Sequence, residues 1–228
     1  MSAQIVVEDY ETPFLQKPVV KSLIAPTILT AVGLFTLKQE GFLNKYDLQE
    51  FFQTTFGVTN TNLDNYLAFT PMVSVTGLNW SGVKPKNDWY NRNLMLIKSE
   101  IIMAAVVYGF KYTTHELRPD SSDYLSFPSG HTAQAFLSAA ILDKEFRDKS
   151  IFYSIAGYAT ATTVGVLRIL NNRHWTPDVL VGAAVGILSV NMVYLKHRHR
   201  VLPKKFRGAY LYPYSNRNLY GMGLMWNL

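Results

Sequence analysis

The stretch FPSGHTAQAFLSAAIL, residues 127–142, places a proline, a serine, a glycine and a histidine directly before an apolar run. Ser129 is predicted to cap a helix here, because a serine hydroxyl accepts hydrogen bonds from the first free N–H groups of a helix. Those N–H groups also bind anions, and His131 could transfer a proton to or from a bound anion. The stretch therefore permits two interpretations, an ordinary helix start or an anion site with a proton donor, and does not decide between them alone.

The apolar run in this stretch is one of six along the chain, and together the six predict the fold. Three approach the roughly 20 residues that a membrane span needs, two are interrupted by polar residues, and one is short. The mean hydropathy of +0.03 hides this pattern because polar segments separate the runs. We predict an all-α fold, a six-helix transmembrane bundle, with helices at residues 18–37, 66–83, 94–110, 132–142, 151–170 and 178–195.

The Lys and Arg residues give the bundle an orientation. With a cytoplasmic N-terminus, the inside segments would be 84–93, 143–150 and the tail from residue 196, and these segments carry most of the basic residues. The positive-inside rule favours this topology. The formal net charge of +6 then has a membrane explanation. No nucleic-acid partner is expected, because a soluble nucleic-acid-binding protein would not alternate basic patches with apolar blocks.

Two segments outside the predicted spans have a distinct composition. Residues 38–62 carry Phe42, Leu43, Tyr46, Phe51 and Phe52 with acidic residues between them, which indicates a short amphipathic outer helix at the lipid surface. This helix between helices one and two is either a rim for a lipid substrate or a connector that hides its own apolar face. The tail, residues 196–228, is first basic and then aromatic.

Two features that the sequence lacks restrict the class of protein. The chain contains no cysteine, which excludes disulfides and thiolate chemistry. Its opening residues lack the basic start and the short apolar core of a secretory signal. We therefore expect one integral membrane domain over residues 1–228, inserted by its first helix.

Polar clusters lie at the ends of four predicted helices, where ionisable residues are treated as functional by default. In the predicted topology the end of helix three, the start of helix four, the end of helix five and the start of helix six share one face of the membrane. The clusters can therefore meet, and the charge distribution places them on the outer face. They are KYTTHELRP (111–119), PSGH (128–131) and RILNNRHWTPD (168–178).

The spacing within these clusters makes local predictions. Lys111 and Arg118 are seven residues apart, so both would project from one helix face if helix three continues past the membrane. Pro119 would then end that helix. Residues 176–178, Thr-Pro-Asp, are predicted to form the cap and the first two positions of helix six.

The chemistry of the clusters is complementary. Three cations and the N–H groups of the turn at residues 129–131 would bind a multiply charged oxyanion, for which phosphate is the obvious candidate. Two histidines and one carboxylate supply a nucleophile, a proton donor and an orienting acceptor. No Asp, His and Glu cluster has metal-ligand spacing, so a mechanism without metal or cofactor is expected. The cations are Lys111, Arg118 and Arg168, and the other three residues are His131, His174 and Asp178.

The ordered clusters resemble the type 2 phosphatidic acid phosphatase (PAP2) superfamily, which also contains bacterial acid phosphatases and vanadium haloperoxidases. Its first motif is a lysine, six residues, an arginine and a proline; its second is PSGH; its third is an arginine, five residues, a histidine, three residues and an aspartate. One position departs from the family, which usually has serine where this chain has Leu167. The matching residues are Lys111, Arg118, Pro119, Pro128, Ser129, Gly130, His131, Arg168, His174 and Asp178.

The resemblance implies a role for each of these residues. His174 would attack phosphorus and become a phosphohistidine, while Asp178 would hold its ring in the productive tautomer. His131 would protonate the leaving oxygen and then act as the base for the hydrolytic water. The nonbridging oxygens would be bound by Lys111, Arg118, Arg168, Ser129 and the N–H group of Gly130.

The resemblance therefore implies metal-independent hydrolysis of a lipid phosphate monoester or pyrophosphate, in a bacterial inner membrane with the site facing the periplasm. Candidate substrates are phosphatidic acid, phosphatidylglycerol phosphate, undecaprenyl pyrophosphate and lipid A phosphate. The alternative is a non-enzymatic lipid-phosphate binder or transporter, against which the two histidines count because binding alone needs no nucleophile. No obligate protein partner is expected.

Overall fold

The computed structural model describes residues 17–37 and 43–197, together with the backbone of two strands between residues 209 and 226. Phe42 and most of the basic part of the tail lie outside the described residues. The chain divides into two compact units, residues 1–197 and 198–228, which are described separately. The helices of the first unit are α1 (Pro18–Thr36), α2 (Lys45–Phe56), α3 (Leu63–Leu67), α4 (Thr70–Trp80), α5 (Trp89–Thr114), α6 (Gly130–Phe146), α7 (Ile151–Leu170) and α8 (Thr176–Lys196).

Five of the six predicted helices form, three of them with nearly the predicted bounds. Helix α7 has the predicted bounds, and α1 and α8 differ from prediction by one or two residues at an end. Helices α5 and α6 are longer than the apolar runs from which they were predicted. Their additional residues begin at N-caps: Asp88 accepts hydrogen bonds from two N–H groups of α5, and Ser129 accepts one from Thr132 of α6.

The prediction of one helix over residues 66–83 is wrong. Two helices, α3 and α4, occupy this part of the chain, and the break falls at Ala68 and Phe69. Pro71 is the physical reason, because it has no N–H to donate to the carbonyl four residues earlier and its ring would collide with that carbonyl. A proline is tolerated in the first turn of a helix, and there it stands in α4.

The predicted outer helix is present as α2. Asn44 caps it, since the Asn44 side chain accepts hydrogen bonds from the N–H groups of Tyr46 and Asp47 at 2.9 Å. Gly57 ends it with a φ of +80°, a left-handed conformation that favours glycine. Large apolar side chains such as Phe51 and Phe56 remain exposed on this helix.

Three helices of the described residues are long and apolar enough to cross a membrane by length and composition: α1, α5 and α8. Helix α8 is mostly buried within the protein, whereas α1 and α5 expose rows of large apolar side chains, as expected of helices that face lipid. The exposed side chains of these two helices include Val19, Leu23, Ile28, Val32, Ile97, Ile101 and Tyr108. The prediction of six spans goes beyond these three helices.

Helix α6 lies at the centre of the helical unit and packs against α4, α5, α7 and α8. Its contact with α8 is unusually close because α8 carries glycine at positions 182 and 186, one helical turn apart. A Cβ atom at Gly182 would lie 2.5 Å from the carbonyl oxygen of Ser129, and one at Gly186 would meet the backbone of Ala133. We call this contact the α6–α8 seam. It brings the start of α6 against the start of α8.

The second unit contains an antiparallel hairpin. Strand β1 (Ala209–Asn216) pairs with β2 (Leu219–Trp226), with Ala209 opposite Trp226 and Asn216 opposite Leu219. The all-α prediction therefore holds for the helical unit but not for the tail. Alternating aromatic residues in strand β1 suit a two-stranded ribbon, and the sequence analysis did not use this pattern.

Candidate active site

The α6–α8 seam and the turn between α7 and α8 bring the second and third clusters together. The N–H group of Ser129 donates to the carbonyl of Asp178 at 3.0 Å, which ties the start of α6 directly to the first turn of α8. The first cluster reaches the same place through the loop that joins α5 to α6. All three predicted clusters therefore meet at one end of the helical unit.

His174 lies at the centre of this meeting point and is 1% exposed. Its Nδ1 atom is 3.5 Å from Oδ2 of Asp178, within ion-pair distance but longer than a normal hydrogen bond. On the other side of the ring, Nε2 is 3.4 Å from Nη1 of Arg118. Because an arginine can only donate, this contact suits a tautomer with the proton on Nδ1 and the lone pair of Nε2 facing the cations.

Burial lowers the pKa of His174 well below 6.5, and the charges of Arg168, Arg118 and Lys111 lower it further. The imidazole is therefore neutral at physiological pH, with a free lone pair on one nitrogen. A neutral imidazole is a nucleophile, whereas an imidazolium is not.

Asp178 is held by its own neighbours rather than by His174 alone. Its Oδ2 atom accepts hydrogen bonds from the hydroxyl of Ser126 at 2.5 Å and from the N–H group of Trp175 at 3.0 Å. The second oxygen, Oδ1, has no hydrogen-bond partner among the described residues. Ser126 was not predicted as a site residue, since nothing in the sequence singles out one serine of this loop.

The predicted cap of the last helix is displaced by one residue. Trp175, not Thr176, is the N-cap of α8, and Asp178 is the third helical residue. From that position its carboxylate can reach back to the N–H group of the cap residue, as in a capping box. The same geometry points the carboxylate at the preceding turn, where His174 lies.

Arg118 lies in a loop, which corrects the prediction that it continues the helix of Lys111. Helix α5 ends at Thr114, and His115 follows with a left-handed φ of +46°. The Nε atom of Arg118 donates to Asp123 at 2.7 Å, and Nη1 donates to the carbonyl of Arg173 at 3.2 Å. Burial opposes ionisation of Asp123, but the Arg118 hydrogen bond and the Leu125 N–H group outweigh it and hold the Asp123 pKa below its usual 3.8.

Lys111 lies in the last turn of α5, and its side chain is buried. Its ammonium group donates to the carbonyl of Leu125 in the same loop. Two predicted cations therefore reach one site by different routes, Lys111 from a helix end and Arg118 from the following loop. Pro119 does not end the helix as predicted, because the chain has already left it five residues earlier.

Arg168 is paired with a residue that the sequence analysis missed. Its Nη1 atom is 2.5 Å from Oδ2 of Asp64 in α3, and Asp64 is 1% exposed. Asn171 also donates to the Asp64 carboxylate, at 3.4 Å. The Nε atom of Arg168 is buried without a partner among the described residues. Asp64 and Arg168 are 104 residues apart, and no spacing in the sequence connects them.

The PSGH stretch leads into α6, and Ser129 is the N-cap of this helix, as predicted. The Ser129 hydroxyl is buried and accepts from the N–H group of Thr132 at 3.4 Å, which confirms its capping position, and from the Thr132 hydroxyl at 2.9 Å. Gly130 is the first helical residue and is half-buried. His131 is also half-buried. The positive charges of Arg168, Arg118 and Lys111 act on it, so it lies within the electrostatic field of the site.

A second pair outside the motifs braces this end of the molecule. Lys45, buried at the start of α2, forms an ion pair with Glu116 of the α5–α6 loop. Its ammonium group also lies 5.1 Å from the ring centroids of Tyr46 and Trp175. The indole N–H group of Trp175 donates to the carbonyl of Leu117 at 2.8 Å. Helix α2 is thereby attached to the residue that follows His174.

The arrangement combines an anion site with a nucleophile. Three cations and a helix N-terminus converge on a neutral histidine whose far nitrogen faces a carboxylate. Among the residues that the structure describes, no group of three or more His, Cys, Asp or Glu side chains could hold a metal ion. The cations, the helix N-terminus and the neutral histidine suit an oxyanion and nucleophilic displacement.

Comparison with known proteins agrees with this chemistry. Residues 93–201 match the family model of the PAP2 superfamily. The lipid A 1-phosphatase of Porphyromonas gingivalis is 35% identical over 175 residues, which are 75% of this chain and 38% of that protein. The chain thus spans well under half the length of this relative.

Two solved structures match parts of this chain. The crystal structure of Aquifex aeolicus LpxE has a TM-score of 0.49 and 23% identity, and the match covers 65% of this chain and 94% of that one. The crystal structure of the first transmembrane PAP2 type phosphatidylglycerolphosphate phosphatase from Bacillus subtilis has a TM-score of 0.43 and 19% identity, and covers 81% of this chain and 99% of that one.

Proposed function

Residues 93–201 of this chain belong to the PAP2 superfamily, and from that premise we propose that the protein is a membrane phosphatase that hydrolyses a lipid phosphate. The reaction is metal-independent and passes through a phosphohistidine on His174. The observation that carries this proposal is the placement of His174 between Asp178 and Arg118. A phosphate-binding protein would need the cations but not a buried, neutral histidine with an oriented ring.

In the proposed reaction, Nε2 of His174 attacks phosphorus and the bond from phosphorus to the leaving oxygen breaks. His131 donates a proton to that oxygen, so the lipid leaves as an alcohol, or as a lipid monophosphate when the substrate is a pyrophosphate. His131 then takes a proton from water, whose oxygen attacks phosphorus as the nitrogen–phosphorus bond breaks. Phosphate is released and His174 returns to its neutral form. Asp178 stabilises the positive charge that the ring carries while it is phosphorylated.

In the proposed complex the phosphoryl oxygens are bound by the three cations of the site and by the first turn of α6. Arg118, Lys111 and Arg168 supply the cations, while Ser129 and the N–H group of Gly130 supply neutral donors. Such preorganised donors stabilise the charge of the transition state, and electrostatic stabilisation is usually the largest single contribution to catalysis. Two polar atoms have no partner among the described residues, Oδ1 of Asp178 and Nε of Arg168. The first can accept a further hydrogen bond and the second can donate one during the proposed reaction.

The proposed substrate is a phosphorylated lipid because the site opens where membrane helices end. The relative from Porphyromonas gingivalis is named lipid A 1-phosphatase, which makes lipid A phosphate the first candidate to assay. Phosphatidic acid, phosphatidylglycerol phosphate and undecaprenyl pyrophosphate complete the panel. The proposed location is a bacterial inner membrane, with six spans and the site facing the periplasm, and the distribution of basic residues supports it.

The experiment is phosphate release from this panel by the full chain in detergent, with EDTA present throughout. We expect release from at least one lipid and its loss in His174→Ala. His115→Ala is the matched control, since His115 is exposed and takes no part in the proposed reaction. Full activity in His174→Ala would refute the mechanism. Binding of the lipids without release from any of them would instead support a non-enzymatic lipid-phosphate binder.

A further inference from the structure

A groove of about 400 Å³ lies between α2 and the residues that flank the catalytic cluster. We call it the α2 groove. On one side it is lined by α2, and on the other by Pro119, Asn172 and Trp175. Pro119 directly follows Arg118, and Trp175 directly follows His174. The α2 groove therefore borders the turn that carries His174 and the loop that carries Arg118.

The lining of the α2 groove is polar but carries little charge. Amide side chains come from Gln49, Gln53 and Asn172, and Thr54 adds a hydroxyl. Among the described residues that line it, Glu50 is the one that is charged, and none is a lysine or arginine. A second phosphate would meet a carboxylate and no cation there, so the groove does not suit an anion. Amides and hydroxyls are suited to neutral hydroxyl groups.

Aromatic rings form one end of the groove. Tyr46 and Trp175 lie edge to face with their centroids 5.1 Å apart, and both line the groove. Trp175 is fixed by its hydrogen bond to Leu117 and by Lys45. A rigid aromatic platform beside amide groups suits a ring with one apolar face and a polar edge, because such a ring needs both kinds of contact.

The amides are held in place before any ligand binds. The Nε2 atom of Gln49 donates to the carbonyl of Ile169 at 3.0 Å and to Oδ1 of Asn172 at 2.9 Å, and Gln53 donates to the same oxygen at 2.7 Å. Gln49 is 6% exposed, and its Oε1 atom has no partner among the described residues. The two acceptors determine which end of the Gln49 amide is nitrogen, so the unpartnered atom is an acceptor. It matches a hydroxyl donor.

We propose that the α2 groove binds an uncharged, hydroxyl-rich ring, a sugar headgroup, that carries the phosphate attacked by His174. This proposal rests on the proposed phosphatase function and names its substrate class: phosphate on a lipid-linked sugar rather than on a glycerol. Helix α2 then determines specificity without touching the reacting atoms.

The test compares two lipids with matched acyl chains, an acylated glucosamine 1-phosphate and phosphatidic acid, and two variants. Thr54→Trp fills the groove from an exposed position of α2, and Thr55→Trp adds the same side chain at the next, exposed position, which does not line it. Two lost hydrogen bonds correspond to a change of about 5- to 150-fold. We expect Thr54→Trp to lower kcat/KM by about this factor for the sugar lipid and to leave phosphatidic acid within about twofold.

Thr55→Trp should leave both lipids within about twofold of the unchanged protein. Equal losses on both lipids in Thr54→Trp, or no loss on the sugar lipid, would overturn the proposal while leaving the phosphatase function intact.

A displacement assay with a fluorescent analogue of the sugar lipid tests the groove assignment separately from the proposed hydrolysis. If neither lipid is hydrolysed but Thr54→Trp alone weakens binding of the analogue, the groove assignment stands and the proposed reaction does not. If binding is equal in the two variants, the groove assignment fails.

Discussion

Replacing Asp64 with asparagine removes one charge from a pair that the fold buries. The carboxylate is 1% exposed and lies 2.5 Å from the guanidinium of Arg168, whose Nε atom already lacks a partner among the described residues. Removing one member of a buried pair leaves an uncompensated charge, which costs about 3–5 kcal/mol. Because asparagine still offers an oxygen acceptor, we expect a loss of about 3 kcal/mol in the free energy of unfolding.

The measurement is denaturant unfolding of the full chain in detergent, followed by circular dichroism. Asp148→Asn is the matched control, since its pair with Lys86 is 3.6 Å long and its side chain is 70% exposed. An exposed pair of this kind contributes about 0–1 kcal/mol. A loss in Asp64→Asn no greater than that in Asp148→Asn would refute the reasoning about the buried pair.

The same unfolding measurement with vanadate present tests whether Arg168 belongs to the anion site. If Arg168 faces the bound oxyanion, vanadate supplies the negative charge that Asp64→Asn has lost. An oxyanion at 100 times its Kd stabilises the folded state by about 2.7 kcal/mol, and any gain in affinity adds to this. We expect the stabilisation by vanadate to be larger in Asp64→Asn than in the unchanged protein. Equal stabilisation of both would contradict a place for Arg168 in the anion site.

Two further predictions concern the turn before α8. Asp178→Asn should lower kcat about 10³- to 10⁴-fold while the protein stays folded, because the ring of His174 loses its acceptor and its tautomer; steady-state rates with circular dichroism check this, and a loss below tenfold would contradict it. The pKa of His174 lies well below its ordinary 6.5 in the folded protein. The unfolded chain therefore binds a proton near pH 6.5 that the folded protein does not, so the free energy of unfolding falls as pH drops below 6.5, by up to about 1.4 kcal/mol per pH unit. Unfolding of His174→Asn between pH 7 and 5.5 should lack this part of the slope, and an unchanged slope would contradict the pKa shift.

The parts of this molecule that sequence analysis predicted are those determined by local pattern. Apolar runs predicted the position of α7 to the residue, and short motifs predicted that residues 129 and 174 lie at one site. Helix ends were less predictable where one residue interrupts a run. Pro71 divides α3 from α4 within an apolar stretch, and the left-handed His115 ends α5 before the second cation of its motif.

What the sequence could not predict depends on pairs that are distant along the chain. Asp64 pairs with Arg168 across 104 residues, and Lys45 pairs with Glu116 across 71. An isolated aspartate or lysine in a polar connector has no periodicity, and only the packing of α2 and α3 against the bundle shows which partner it meets. Both pairs use a residue from outside the segment that matches the family model, residues 93–201.

The α6–α8 seam also has a consequence for motion. With Gly182 against the carbonyl of Ser129, the two helices have no space in which to slide or roll, so the halves of the site that they carry move as one rigid body. Motion at this site therefore falls to the part of the α5–α6 loop that is mostly exposed and that the seam does not hold, residues 121–124. We expect amide hydrogen exchange to be slow along the seam and fast in that loop, and a lipid to enter and leave on the loop side at the rate set by its opening.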